Sequence, residues 1–325
     1  MNLHQNKELF RDAVAAAAQR FRILEIYIEK DYWITAALYQ IFHSDMAEDA
    51  VFKGGTALSK AYRLVNRFSE DIDIVIVSKE SDPGSQLKNK LRAISKEVGK
   101  IMPEMEMEGI TNKKGMIRKT AHEYPKENFK GTYGQVREHI ILESSWLGNF
   151  EPFTSKMVSC YITELMEATG QQTLIEQYVL SPFEVKVLRL ERTICEKIMS
   201  LVRFSQTENP YDDLSNKVRH IYDIYWILRD PVISAFFDDK AFGDMLNGVA
   251  QDDVASFKNN NAWLVTHPKD VIVFSTVDQT WERIRQAYHD DFSGLVLEEL
   301  PDEKEIIAML KRVGERLGKI EWSIK

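Results

Sequence analysis

Residues 52–77 read FKGGTALSKAYRLVNRFSEDIDIVIV, and this stretch decides the fold. The short apolar run Val51-Phe52 stops at Gly54-Gly55, where a backbone without side chains can turn and approach a neighbour closely. Thr56 to Asn66 has helical spacing, with Leu58, Tyr62 and Val65 on one side. Asp71 to Val77 alternates acid and aliphatic, then turns wholly aliphatic and β-branched, which is the pattern of a strand. Positions i and i+2 of a strand share a face, so Asp71 and Asp73 converge. Two carboxylates facing together repel unless a cation lies between them. Hard oxygen ligands of this kind suit Mg²⁺, with substrate phosphates completing its shell. The Gly-Gly pair opens a helix, whose free amides attract phosphate, and Thr56 and Ser59 add hydroxyl donors. Fifteen residues separate Gly55 from Asp71, enough for about three helical turns and a return to an adjacent strand.

Outward from this core, the pattern is helical on both sides. Phe10, Val14, Ala17, Phe21, Leu24 and Ile28 recur at steps of four and three, predicting a helix over 6–30. Asp31 is a candidate N-cap for a second helix, from Tyr32 to about His43. Ser81-Asp82-Pro83-Gly84 reads as a turn. Gln86 to Ile101 follows as a helix. Residues 111–150 read as strands and turns, with a hairpin-like loop at 130–134 and a strand at 138–146. Helix is predicted at 156–178 and a short strand at 184–188. Helices follow at 191–204, 216–228 and from about Asp302, with a polar loop at 205–213. The expected division is N-terminal helices (1–45), an α/β core (46–150) and a mainly helical C-terminal part (151–325).

The bulk composition is compatible with this. The chain has 325 residues, 44% of them hydrophobic, enough for one large domain or two smaller ones. A net charge of −8 argues against a general nucleic-acid coat but leaves room for a local basic groove. The two cysteines, Cys160 and Cys195, match no metal spacing and read as reduced core thiols. The start of the chain has no apolar signal core, and no apolar run reaches membrane-spanning length, so a cytoplasmic protein is expected. The histidines form no HExxH or zinc pattern, and the glycines do not have Walker spacing to Lys60.

The set of strand, GGT, helix and DxD closely resembles the nucleotidyltransferase signature. GGTALSK followed by RFSEDIDI resembles the AbiEii-type toxin family, which includes the MenT-type toxins. Glu29-Lys30-Asp31-Tyr32-Trp33 is similar to that family's N-terminal helix pair. Arg192 to Ile198 (RTICEKI) and Arg219 to Ile224 (RHIYDI) are similar to its C-terminal motifs. The resemblance runs from about residue 29 to 229. It implies an α+β fold: a polymerase-β-like nucleotidyltransferase core, a small mixed sheet with flanking helices, under a helical C-terminal half that closes a cleft. It implies transfer of an NMP from an NTP, with Gly54, Gly55 and Thr56 at the triphosphate and Asp71 and Asp73 on one or two Mg²⁺. Lys197 would contact the triphosphate and Asp223 would complete the site. Arg67 and Ser69 would brace the acids. A third carboxylate is usual in the fold, and Glu143 in IILESSW is the candidate; it reads as well as an exposed strand residue. The implied biology is the toxin of a toxin–antitoxin or phage-defence pair, with an antitoxin partner and, in MenT-type members, tRNA as acceptor. Transfer onto a protein or small molecule, or non-catalytic NTP or partner binding, are the alternatives.

The residues of the late motifs carry a plainer reading too. Lys197 with Glu196 fits a surface salt bridge. Asp223, in apolar company, needs a partner, which Arg219 four residues earlier could supply. Lys113, Lys114, Arg118, Lys119, Lys126 and Lys130, interleaved with Tyr124, Phe129 and Tyr133, fit either a solvated loop or a surface tracking RNA.

Overall fold

Residues 1–79, 81–129, 136–256, 261–322 and 324 are described by the computed structural model. The loop expected at 130–134, with Lys130 and Tyr133, lies outside these residues. The chain divides into two units. The first comprises Met1–Arg63, Phe68–Trp146 and Phe153–Val187. The second comprises Leu64–Arg67, Leu147–Pro152 and Leu188–Lys325. Residues 153–187, expected with the helical part, thus pack with the sheet, because they supply two of its strands.

The first unit is built on a seven-stranded mixed sheet. Its strands are β1 (Ala50–Lys53), β2 (Asp71–Ile76), β3 (Glu104–Met105), β4 (Ile117–His122), β5 (Ile140–Ser145), β6 (Phe153–Val158) and β7 (Phe183–Leu188). They lie in the order β3-β4-β5-β2-β1-β7-β6. β1 runs antiparallel to β2, and β2 runs parallel to β5. The helices of this unit are α1 (Lys7–Phe21), α2 (Glu25–Phe42), α3 (Gly54–Lys60), α4 (Gly84–Gly99), α5 (Tyr161–Ala168) and α6 (Gln172–Gln177). In β2, Ile72 and Ile74 are buried on one face while Asp71 and Asp73 are half-exposed on the other; Val75 and Ile76 are then buried on both. The change from alternating to wholly aliphatic sequence thus marks where the strand enters the core.

Further expectations are corrected. The helix expected from Thr56 to Asn66 is α3, which ends at Lys60. The helix expected over 6–30 ends at Phe21, because Arg22 takes a left-handed conformation (φ 58°) as its C-cap. The apolar stripe breaks there: Leu24, counted in it, is 50% exposed, while α2 is buried continuously from Ile26 to Leu38. Asp31 is not an N-cap: it lies mid-helix in α2 and is 6% exposed. Its carboxylate is paired with Lys60 and accepts the Tyr161 amide at 3.0 Å, which removes its need for solvent. The continuous helix expected at 156–178 is β6 followed by α5 and α6, separated at Gly170, whose φ is +70°.

The second unit is helical among the described residues: α7 (Leu190–Phe204), α8 (Pro210–Ser215), α9 (Val218–Ile227), α10 (Pro231–Asp238), α11 (Lys240–Ser256), α12 (Ile272–Ser275), α13 (Val277–His289) and α14 (Glu303–Leu317). The polar loop expected to run to 213 gives way to α8 at Pro210, the first helical residue, where a proline needs no amide partner. α7 packs against α9 and α11 through buried Ile194, Ile198, Leu201 and Val202. Each such side chain contributes on the order of 1.5–3 kcal/mol. α14 buries Ile306, Leu310, Val313 and Leu317 and is capped by Asp302, which accepts the Lys304 amide at 2.7 Å.

Candidate functional site

The acids of β2 lie in a charged row that crosses four strands. Register pairs Lys53 with Asp73, Asp73 with Glu143, and Glu143 with Lys119. Paired residues point to the same face, so this face presents cation, acid, acid, cation in sequence. Asp71 lies one pleat along from Asp73 on that face. Lys119 Nζ is 3.2 Å from Glu143 Oε2. Glu143 therefore stands beside Asp73, as a third carboxylate would, and already has a cation. Among the described residues, no group of three or more His, Cys, Asp or Glu side chains is placed to hold a metal ion.

The glycine turn meets the acids directly. Gly54 has φ +81°, and a Cβ built on it would lie 2.0 Å from Asp73 Oδ2. Only glycine fits that conformation and that contact. The Thr56 hydroxyl donates to the Asp71 carbonyl oxygen and lies 2.9 Å from Ser69 Oγ. Thr56, 1% exposed, therefore ties α3 to the start of β2. Ser59 Oγ donates to the Thr56 carbonyl at 3.1 Å, within α3. Gly55 follows Gly54 as the second residue of the helix.

Residues outside the expected site set hold this arrangement. Glu29, Lys30 and Asp31 are consecutive on α2 and buried. Glu29 Oε1 accepts the Glu127 amide at 2.7 Å. Burial pushes the Glu29 carboxyl up to about 7, against the opposing pull of that hydrogen bond. Lys30, fully buried, is paired with Glu70 and donates to the Arg137 carbonyl oxygen. Burial lowers the Lys30 ammonium, with Glu70 opposing. Glu70 accepts the Arg137 amide at 2.8 Å, and Arg137 Nη1 bridges Glu70 Oε1 (3.2 Å) and Asp71 Oδ1 (3.1 Å). The sequence marked Glu29 and Lys30 only through family resemblance, and Asp31 otherwise only as a helix cap. Three adjacent charges inside an otherwise apolar helix were the available physical signal.

In the second unit, Arg67, Lys197 and Asp223 form one buried cluster. Arg67 donates from Nε to Asp223 Oδ1 at 2.7 Å and from Nη2 to Oδ2 at 2.8 Å. Lys197 Nζ donates to Oδ2 at 2.7 Å. Asp223 is 0%, Arg67 4% and Lys197 7% exposed. Burial alone would raise the Asp223 carboxyl, but Arg67 and Lys197 outweigh it and hold it below the usual range. Burial lowers the Lys197 ammonium, with Asp223 opposing. Asp223 thus takes Arg67 and Lys197 as partners; Arg219, expected as a partner, is exposed. Arg67, expected to brace the β2 acids, forks onto Asp223. Lys197 is not in a surface pair with Glu196, which accepts from Arg192 at 3.1 Å.

The basic stretch is largely neutralised. Lys113 pairs with Glu104 and Glu106, and Arg118 with Glu104. Lys126 pairs with Glu138 at 3.0 Å. Tyr124 is 2% exposed and packs near Trp33, so its ring is covered. Both cysteines are buried and free. Among the described residues, no helix is long and apolar enough to cross a membrane.

Residues 36–309 match the family model described as "Nucleotidyl transferase AbiEii toxin, Type IV TA system". The class is that of nucleotidyltransferases. The chain belongs to the AbiEii family, the nucleotidyltransferase toxins of type IV toxin–antitoxin systems. No curated protein matches significantly. Among solved structures, the chain is similar to one titled "Crystal structure of JHP933 from Helicobacter pylori", at 15% identity and a TM-score of 0.39. That similarity covers 90% of this chain and 94% of the other.

Proposed function

We propose that this protein transfers a nucleoside monophosphate from an NTP to an acceptor hydroxyl and releases pyrophosphate, with Asp71 and Asp73 as the ligands of Mg²⁺. The observation that carries this reading is the pair of half-exposed carboxylates on one face of β2, with Gly54 turned against Asp73. The donor set fits the ion: two hard carboxylates on one face suit Mg²⁺, whose remaining positions would go to water and phosphate oxygens. Mg²⁺ held there would neutralise triphosphate charge and favour ionisation of the acceptor hydroxyl.

The protein's own residues do the positioning. Gly54 packs against the Asp73 carboxylate with no Cβ to displace it, and Thr56 fixes the turn to the Asp71 backbone. Lys197 Nζ, held by Asp223 Oδ2 at 2.7 Å, is a buried ammonium of the kind that suits phosphate oxygens. Lys197 is the proposed triphosphate contact, and Asp223 orients it. The acceptor oxygen attacks the α-phosphorus in line as the bond to the β-phosphate breaks. Positioning and charge stabilisation then supply most of the rate.

The family's toxin role makes an antitoxin protein the proposed partner, and an NTP donor makes the cytoplasm the compartment. tRNA is the first acceptor to test. Transfer onto a protein or small molecule is the second reading, favoured by the pairing of Lys113, Arg118 and Lys126 with acids. Purified protein incubated with each α-labelled NTP, Mg²⁺, total tRNA and cell extract separates the readings. Labelled tRNA supports the first, labelled protein or small molecule the second, and no label with any acceptor defeats the proposal.

A further inference from the structure

Arg137 is fixed at three points. Its amide donates to Glu70, its carbonyl oxygen accepts from buried Lys30, and its guanidinium spans Glu70 and Asp71. Its side chain is nevertheless 41% exposed, and that of its partner Asp71 is 23% exposed. The residue thus has a rigid backbone, a free approach from solvent and one nitrogen shared between two carboxylates.

The two carboxylates differ. Glu70 has Lys30 as a second, permanent cation, whereas Asp71 is an outward-facing member of the proposed metal pair. We propose that Arg137 is a nucleotide-phosphate ligand held in reserve on Asp71. A divalent cation claims the Asp71 oxygen and frees the guanidinium, which stays tethered through Glu70 and takes triphosphate oxygens in its place. Arginine suits this exchange because its fork presents several N–H donors to carboxylate or phosphate alike. The inference rests on the reading of Asp71 and Asp73 as metal ligands.

The exchange has a signature that a supporting role lacks. Removing the guanidinium relieves both competition and like-charge repulsion at Asp71, so bare metal binds more tightly. The same change removes a phosphate donor, so nucleotide binds more weakly. For a partly exposed pair the expected shifts are about three- to tenfold in each direction.

The test uses the full chain as wild type, Arg137→Gln, Arg137→Lys and Asp73→Asn. Mn²⁺ binding is followed by electron paramagnetic resonance, and binding of the four non-hydrolysable α,β-methylene NTPs with Mg²⁺ by calorimetry. Arg137→Gln is expected to tighten Mn²⁺ and weaken the nucleotide that wild type binds, with Arg137→Lys partly restoring both. Parallel weakening of both ligands, or no change in either, overturns the proposal. Asp73→Asn binding Mn²⁺ as wild type does would instead remove the metal reading itself, and the proposal with it.

Discussion

Gly54→Ala is the most informative single change in the first unit. Two costs follow from the structure. An L-residue at φ +81° carries a backbone penalty of about 1–2 kcal/mol. The new Cβ would also sit 2.0 Å from Asp73 Oδ2, 2.9 Å from Cγ and 3.1 Å from its Cβ. Ordinary carbon–oxygen contact needs more than 3 Å or so, and the obstacle is the carboxylate that the mechanism requires in place. Asp73 must swing by about 1 Å, a displacement that can cost on the order of 100-fold in rate. Stability is read by urea unfolding and activity by transfer of α-labelled NTP. A double-mutant cycle with Asp73→Ala separates the terms, because alanine at 73 removes Oδ2 and Cγ from the clash. The stability cost of Gly54→Ala should then fall toward the backbone penalty alone. Equal costs in both backgrounds, together with unchanged transfer by the single variant, would refute the contact between the glycine turn and Asp73.

Three further outcomes are expected. Glu29 holds a proton in the folded chain up to a pH of about 7, whereas the unfolded chain releases it near 4.5, so stability falls as pH rises between those values. Glu29→Gln should therefore add on the order of 2–3 kcal/mol at pH 8 and little at pH 4.5, read as a Tm difference that shrinks on acidification; a constant difference contradicts the assignment. Asp223→Asn removes the negative charge that faces the buried Lys197 ammonium and should destabilise the second unit by about 3–5 kcal/mol in chemical unfolding; a loss below about 1 kcal/mol would mean that the cluster is open to water. Asp71→Asn should abolish Mg²⁺-dependent transfer while leaving the circular dichroism spectrum unchanged, and retained transfer of more than a few per cent would remove Asp71 from the metal pair.

The core of the fold was legible where local chemistry and tertiary context agree. The Gly-Gly turn, the DxD strand and the aliphatic run after it each say little alone but point one way as an ordered set, and β1, α3 and β2 follow in that order. α2 was less legible because three of its charges are buried. Local reasoning treats Asp31 as a solvent-facing cap, but Lys60 and Tyr161, 29 and 130 residues away, satisfy it. The partners of Asp223 were hidden for the same reason: Arg67 lies 156 residues away and Lys197 26, while Arg219 one helical turn away is the local guess. The Lys53–Asp73–Glu143–Lys119 row depends on strand register, which the sequence of any one strand does not contain. Arg137 had no motif to mark it.

The central claim is that the α-phosphorus, and not the γ-phosphorus, is transferred by a site built on Asp71 and Asp73. The direct measurement is parallel incubation of wild type and Asp73→Asn with α-labelled and γ-labelled NTPs, Mg²⁺ and the responsive acceptor. Acceptor labelled from the α-position alone, with the γ-label released as pyrophosphate and both signals lost in Asp73→Asn, is the predicted result. Acceptor labelled from the γ-position, or α-label transferred equally by Asp73→Asn, would contradict it.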